Sequence, residues 1–180
     1  DQFVTALTIG ACALSPPEIE ILGALFHEKS TMCTSLSLAG NPLDEECFPV
    51  LLDHLLAPEE LHLTALDLSA TLLTDEQVVK LIAAVAQSPC IEALSLARND
   101  QITMLPTQLA TLTQLRSLSL RRCSSLARLP IDFYRLVNLA QLDINETPHL
   151  IAIPDDLKTK GDAAAILTHL RNSTAAPQRR

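Results

Sequence analysis

Six charged residues in the second half of the chain carry side chains that could hold a binding partner. They are four arginines and two acids: Arg98, Arg116, Arg121, Arg122, Asp143 and Glu146. Arginine is enriched at interface hot spots and binds a carboxylate or phosphate bidentately. We predict that Arg98, Arg121 and Arg122 anchor a partner and that Asp143 and Glu146 set its orientation. The alternative is a lattice of cross-strand ion pairs that only solvates a sheet.

Catalytic and metal-binding chemistry finds little support in the sequence. Ser, His and Asp are all present, but nothing in their spacing brings them together as a catalytic group. Only four glycines exist, and none belongs to a phosphate-binding loop. The run Asp44-Glu45-Glu46 is more typical of a capped helix start than of a metal site. We therefore expect no enzymatic activity, no metal and no cofactor.

The cysteines indicate a reducing environment. Five of them stand at wide spacing, without a C-x-x-C pair, so neither a disulfide framework nor a zinc site is predicted. Cys12, Cys33 and Cys123 fall at positions that we expect to be buried, where a free thiol acts as a small hydrophobic group. This usage favours a cytoplasmic location.

Charge and composition disfavour nucleic acid and a membrane. The formal net charge is −8 and aromatic residues make up only 3% of the 180 residues. Broad phosphate-backbone binding needs clustered Lys and Arg, and single strands need aromatic stacking partners. No run approaches the roughly 18 apolar residues of a membrane span. With no Trp, the core must be built from aliphatic side chains.

The chain has an internal repeat, and the charged residues belong to its later copies. A central leucine recurs at Leu7, Leu36, Leu66, Leu94, Leu118 and Leu142. The first three steps are 29, 30 and 28 residues, and the last two are 24. Such self-similarity indicates stacked units. The longer units have room for a helix after each strand, whereas the shorter ones have room only for an extended segment or a brief helical turn.

Capping signals place the helices of the longer units. Ser15-Pro16-Pro17-Glu18 and Thr74-Asp75-Glu76-Gln77 each predict a helix start with a capping box. Asp44 can cap the helix between them, and Pro49 predicts that this helix begins late or bends.

A recurring polar position marks the end of each strand. Asn41 and Asn99 hold it in the second and fourth units, where an inward Asn can bond backbone groups of its own and the adjacent turn. The other units carry other residues at this position, so we predict that the ladder of hydrogen bonds between stacked repeats is uneven. They carry Cys12, Thr71, Cys123 and Thr147.

The six units resemble leucine-rich repeats, with the pattern L-x-x-L-x-L-x-x-N/C-x-L over about residues 4 to 154. The first three are similar to the long repeats of the ribonuclease-inhibitor type. The last three, with L-x-x-L-P endings, are similar to plant-type or typical short repeats. The segment from Gly161 to Leu170 resembles tails that follow such repeats in Roco-type signalling proteins. The resemblance implies an α/β solenoid of about six repeats, a curved horseshoe with a parallel sheet on its concave face and helices on its convex face.

We divide the chain into a solenoid (1–154), a C-terminal capping helix (155–171) and a disordered tail (172–180). Ile166, Leu167 and Leu170 lie on one side of the capping helix and would cover the last repeat, since each repeat buries its apolar face only against a neighbour. The polar tail contains a proline and has the composition of disordered segments. No cap precedes Val4 and the first residue is Asp1 rather than Met, so we expect this chain to be part of a larger protein or assembly.

The family mainly binds other proteins, which implies a protein-interaction module or scaffold that holds a protein partner on its concave face. Side chains between the inward leucines point to that face, because side chains alternate along a strand. They are small and nearly neutral in the first three units and charged in the last three. The alternative that the resemblance leaves open is a regulatory domain for a GTPase, either a GTPase-activating factor or the repeat region of a Roco-like signalling protein.

Overall fold

The computed structural model describes residues 5–29, 33–54, 56, 63–87 and 90–175, which fold as a leucine-rich-repeat solenoid. Its six short strands form one open sheet in chain order, and each strand pairs in parallel with the next. The strands are β1 (Ala6–Thr8), β2 (Ser35–Ser37), β3 (Ala65–Asp67), β4 (Ala93–Ser95), β5 (Ser117–Ser119) and β6 (Gln141–Asp143). The six central leucines stand in register across the sheet, as their spacing predicts.

The connections after the strands change along the chain. Three α-helices follow β1 to β3, namely α1 (Pro16–Lys29), α2 (Cys47–His54) and α3 (Asp75–Val85). Two 3₁₀ helices follow β4 and β5, at Thr107–Thr111 and Ile131–Arg135. Because the later units are shorter, they have no room for a full α-helix, and the prediction of a brief helical turn is confirmed.

The predicted capping residues lie at the helix starts. Thr74 and Gln77 form the full capping box of α3. At α1, the Glu18 carboxylate accepts hydrogen bonds from the backbone N–H and hydroxyl of Ser15, at 2.7 and 2.9 Å. At α2, Asp44 Oδ1 accepts the N–H of Cys47 at 2.8 Å. Pro49 is the third residue of α2, where a missing N–H is tolerated.

Aliphatic side chains fill the space between the sheet and the connections. In repeats two to six the central leucines are at most 2% exposed: Leu36, Leu66, Leu94, Leu118 and Leu142. Full burial of such a side chain contributes about 1.5–3 kcal/mol. The strand residues on either side of each leucine in β2 to β5 are half-buried and face away from the core. We call that second side of the sheet the concave face.

The first repeat is less well covered than the others. Leu7, Ile9 and Leu14 are only half-buried, and Cys12 is exposed, so the prediction of a buried Cys12 is wrong. The reason is that β1 is an edge strand of the sheet, so a neighbouring repeat packs on one side of repeat one only. Cys33 and Cys123 are buried as predicted, and all five cysteines are free thiols. Val4 lies outside the described residues.

The polar position at the strand ends forms an uneven ladder, as predicted. The Asn41 and Asn99 side chains each bond backbone groups of the preceding repeat as well as their own. Thr71 and Thr147 donate their hydroxyls to carbonyls within their own repeat, both at 2.7 Å. Cys123 Sγ lies 3.2 Å from the Leu96 carbonyl of the preceding repeat.

Two helices follow the last repeat, α4 (Asp155–Lys160) and α5 (Ala163–Ala175). Gly161, inside the range 155–171 that we predicted as one capping helix, ends α4 in the left-handed conformation with φ 61°. Ile166 of α5 is fully buried, and Asp162 pairs with Gln141 at the edge of β6. Residues 172–175, which we assigned to the disordered tail, lie in α5, and residues 176–180 lie outside the described residues. In the part of the chain described here, no helix is long and apolar enough to cross a membrane.

Candidate partner-binding edge of repeats four to six

The six predicted site residues lie mostly at the rims of the sheet. Only Asp143 belongs to a strand, β6. Arg116 immediately precedes β5, at the rim where the strands begin. The other four follow the carboxyl ends of β4 to β6, at the opposite rim: Arg98, Arg121, Arg122 and Glu146. The prediction from strand alternation did not foresee this placement, because the strands are only three residues long.

Three of these residues occupy one equivalent position in successive repeats, directly before the Asn place. Arg98, Arg122 and Glu146 have φ values of 58°, 59° and 60°, in the left-handed region. In the first three repeats this position holds small residues: Ala11, Gly40 and Ala70. A side chain in this conformation costs roughly 1–2 kcal/mol relative to the usual one. Charged residues therefore stand at three strained positions, and such strain often accompanies a functional role.

Glu146 is shared by two arginines. Its Oε1 accepts hydrogen bonds from Nη2 and Nε of Arg121 at 2.7 and 3.1 Å, and its Oε2 accepts from Nε of Arg122 at 2.5 Å. Arg122 and then Arg121 hold the pKa of the Glu146 carboxyl below its usual value. Glu146 in turn raises the pKa of Arg121. Arg121, Arg122 and Glu146 together therefore carry one net positive charge.

An open groove of about 620 Å³ runs along this rim across repeats four to six. We call it the rim groove, and its lining residues are Arg98, Asp100, Arg122, Ser124, Glu146 and Pro148. Among the described residues, the Arg98 side chain has no hydrogen-bond or ion-pair partner, while the nearby Asp100 Oδ1 accepts the Ser124 hydroxyl at 2.8 Å.

Asp100, Ser124 and Pro148 were missed as site residues. The sequence signal that could have found Asp100 is the extra residue that separates Asn99 from the next apolar position, Ile102. That insertion begins at repeat four, where the groove begins.

Two predicted site residues take separate positions. Arg116 pairs with Glu92 at 3.3 Å on the opposite rim, so the structure does not bring it together with the other arginines. Asp143 Oδ1 accepts the backbone N–H and side-chain amide of Asn145, at 3.0 and 2.9 Å. Asp143 thus orients the turn that carries Glu146.

The middle of the concave face carries a row of polar groups that satisfy one another. Ser37 donates its hydroxyl to Asp67 at 3.1 Å, and Asp67 also accepts the hydroxyl of Ser69. Ser69 and Ser95 lie 2.7 Å apart, oxygen to oxygen. This row spans repeats two to four, and its side chains bond one another.

A second groove, of about 520 Å³, lies between the starts of α2 and α3. Leu43, Phe48 and Leu72 contribute apolar surface to it, and the ion pair of Glu76 with Lys80 at 2.8 Å lies at its margin. Within the described ranges, no group of three His, Cys, Asp or Glu residues is placed to hold a metal ion. The Ser124 hydroxyl of the rim groove donates to the Asp100 carboxylate, and no histidine is among the described residues that line either groove.

Comparison with protein-family models and with curated protein sequences finds no match to this chain. Among solved structures, the chain is similar to the leucine-rich repeat-containing protein LegL7 from Legionella pneumophila. The two are 17% identical with a TM-score of 0.44, and the match covers 86% of this chain and 70% of that one. The assignment of this chain to the leucine-rich-repeat fold rests on its six strands in register and its buried leucine ladder.

Proposed function

We propose that this chain is a non-enzymatic protein-interaction module. It holds a protein partner at the rim where the strands of repeats four to six end, and on the adjoining concave face. The observation that carries the proposal is the column Arg98, Arg122 and Glu146, three charged residues at equivalent left-handed positions. Loops and turns on a rigid scaffold are where binding residues concentrate. Arginine in turn is over-represented among the residues that dominate binding energy.

The alternative of a solvating ion-pair lattice accounts for part of the charge. It fits the pair of Arg116 with Glu92 and the sharing of Glu146 by two arginines. Exposed pairs of this kind contribute little to folding stability. It does not account for Arg98, which has no carboxylate partner among the described residues. It also gives no reason for arginine at a strained position where other repeats carry alanine or glycine.

The proposal is tested by capture of partners from native lysate with a charge-reversal variant. Arg98→Glu, Arg121→Glu and Arg122→Glu are combined in one chain, and folding is checked by circular dichroism. The matched control combines Lys80→Glu, Arg128→Glu and Arg135→Glu, which change the net charge equally at exposed positions away from the rim groove. We expect the control to keep the partner that the rim variant loses. Equal capture by both variants would place the binding surface elsewhere.

A second proposal follows from the resemblance, namely a regulatory domain for a GTPase in a signalling protein. Here Arg98 is the candidate residue, because its guanidinium is not engaged by a carboxylate of the described chain. Acceleration of GTP hydrolysis by the chain, lost in Arg98→Gln, would favour a GTPase-activating factor. The same proposal includes the resemblance of the repeats to the long and short leucine-rich-repeat types and the resemblance of the C-terminal tail to Roco-type proteins.

We propose a cytoplasmic location, because all five cysteines are free thiols.

A further inference from the structure

We propose that the rim groove binds an acidic segment of the partner protein between Arg98 and Arg122, and that Glu146 competes with this segment for Arg122 in the free protein. This inference rests on the proposed function and names the chemistry of the partner. It follows from the unused hydrogen-bond donors of the two arginines that line the groove.

The free donors of the groove belong to its two arginines. A guanidinium has five N–H donors and no acceptor. Arg122 uses Nε toward Glu146, and its other nitrogens make no hydrogen bond within the described residues. Arg98 uses none of its side-chain donors there. The lining carries two arginines and two acids, and its unused hydrogen-bond donors are those of Arg98 and Arg122.

Each carboxylate nearby already accepts hydrogen bonds from the protein through at least one of its oxygens. Asp100 Oδ1 accepts both the hydroxyl and the backbone N–H of Ser124, at 2.8 and 3.3 Å. Asp143 Oδ1 accepts two bonds from Asn145. Glu146 is the carboxylate that bonds the arginines. A ligand carboxylate would find the guanidinium donors of Arg98 and Arg122 open, whereas a ligand cation would meet carboxylates that already accept hydrogen bonds from the protein.

Arg98 and Arg122 are spaced to act on one ligand. They occupy the same position in adjacent repeats, whose backbones are joined here by the bond from Arg98 N–H to the Arg121 carbonyl at 2.8 Å. Neighbouring strands lie roughly 4.8 Å apart. Two arginines whose backbones are that close, and which line the same groove, can direct their guanidinium groups to one carboxylate by charge-assisted bonds.

The length of the groove sets the length of the segment. From repeat four to repeat six it crosses two strand spacings, or roughly 10 Å. An extended chain covers that distance in about three residues. The ligand we infer is therefore a short run of Asp or Glu residues in an extended segment of the partner, lying across Arg98 and Arg122 toward Glu146.

Glu146 plays the part of this ligand in the free protein. Its carboxylate bonds Arg122 through Nε, and it holds Arg121 at the same time. An incoming carboxylate can bond the Nη donors of Arg122 that Glu146 leaves unused, but it shares the single positive charge of Arg122 with Glu146 and is repelled by the Glu146 carboxylate. Removing the charge of Glu146 therefore frees the anchor and also removes a repulsive charge from the groove.

The test is an NMR titration of the whole chain with an N-acetylated, amidated hexaglutamate peptide, read at the Nε–H signals of the arginines. We expect the Arg98 and Arg122 signals to shift with hexaglutamate and not with hexaglutamine. We expect Glu146→Gln to tighten binding by about two- to fivefold, the scale of one exposed ion pair. Arg98→Gln should weaken binding by a similar factor or more.

Glu92→Gln is the matched control for Glu146→Gln. It makes the same change in net charge and releases an arginine, Arg116, at the opposite rim. We expect it to leave the affinity for hexaglutamate within twofold of the parent. An equal gain in affinity in both variants would contradict competition by Glu146 and would indicate a general effect of net charge.

Two further results would contradict the inference. Weaker binding in Glu146→Gln would make Glu146 a positioning residue for the arginines and not a competitor. Absence of shifts at Arg98 and Arg122 would rule out an acidic ligand. If the charge-reversal variant nevertheless lost its captured partner, the proposed function would hold without this inference. If hexaglutamate binds as expected but the rim and control variants capture the same partner, the proposed function fails and the chemistry of the groove remains.

Discussion

Asn99 Oδ1 accepts a hydrogen bond from the backbone N–H of Thr71, in the preceding repeat, at 3.0 Å. The same oxygen accepts the N–H of Leu73 at 3.0 Å. Its Nδ2 donates to the carbonyls of Leu68 and Leu96, both at 2.9 Å. One fully buried amide thereby joins the third and fourth repeats. The long repeats meet the short ones at this junction.

We predict that Asn99→Ala destabilises the chain by about 3–5 kcal/mol, because each buried polar group left without a partner costs roughly 1–3 kcal/mol. Urea denaturation measures the change in unfolding free energy. The control is Asn138→Ala, which removes an exposed amide bonded to the Thr113 carbonyl and should cost less than about 1 kcal/mol. Equal losses in the two variants would contradict the bridging role.

At the left-handed position directly before the Asn place, Gly→Ala and Ala→Gly substitutions should change the stability in opposite directions. Gly40 has φ 78°, and a Cβ there would lie 3.3 Å from the Cβ of Ala11. Gly40→Ala should therefore destabilise by about 1–2 kcal/mol. Ala70 holds the equivalent position at φ 55°, so Ala70→Gly should stabilise by about 0.5–1 kcal/mol after the loss of chain entropy is subtracted. Thermal unfolding of both variants checks the signs, and two shifts in the same direction would be inconsistent with this conformation.

Helix α1 approaches α2 closely at Gly23. A Cβ at Gly23 would lie 2.6 Å from the Cβ of His54 and 2.9 Å from its carbonyl oxygen. Gly23→Ala should force the helices apart and destabilise by about 1–3 kcal/mol, as overpacking does. Gly10→Ala is the matched control, since its nearest contact would be an ordinary 3.6 Å to the Ala39 oxygen. The packing account is refuted if chemical denaturation finds Gly23→Ala as harmless as the control.

Burial raises the pKa of the Cys47 and Cys123 thiols to about 11. Because the thiolate is the nucleophile, both should resist alkylation by iodoacetamide at pH 8, while the exposed Cys12 reacts. Peptide mass spectrometry after brief labelling reads this directly. A folded pKa above the usual 9.0 means that the stability from the neutral thiols is complete below pH 9 and is lost as the pH rises toward 11. Early labelling of Cys123 would count against its buried place.

The repeat architecture could be predicted because it depends on apolar spacing. Leu118 and its equivalents must face the core in every copy, so their period reveals the strands and their register. The length of each unit likewise decides between an α-helix and a 3₁₀ turn. These features are local in the sequence and recur six times.

The rim groove could not be predicted because it depends on backbone conformation. Nothing in the residue type of Arg98 or Glu146 indicates a positive φ, a conformation that Gly, Asn and Asp adopt more readily. The exposure of Cys12 was missed for a different reason, since burial in a repeat protein depends on the neighbouring repeat and not on the position within one repeat. The sharing of Glu146 by two arginines depends on side-chain geometry across two repeats.

The most direct test of the central claim is site-specific photocrosslinking. The photoreactive residue p-benzoylphenylalanine replaces Pro148, an exposed residue of the rim groove, or Ala83, an exposed residue of α3 that serves as the control. Both chains are irradiated in native lysate, and the adducts are identified by mass spectrometry. Our account predicts a partner adduct from position 148 that is lost with the Arg98, Arg121 and Arg122 charge reversals, and no such adduct from position 83. An adduct from position 83 alone would contradict the account and move the binding surface to the helical side.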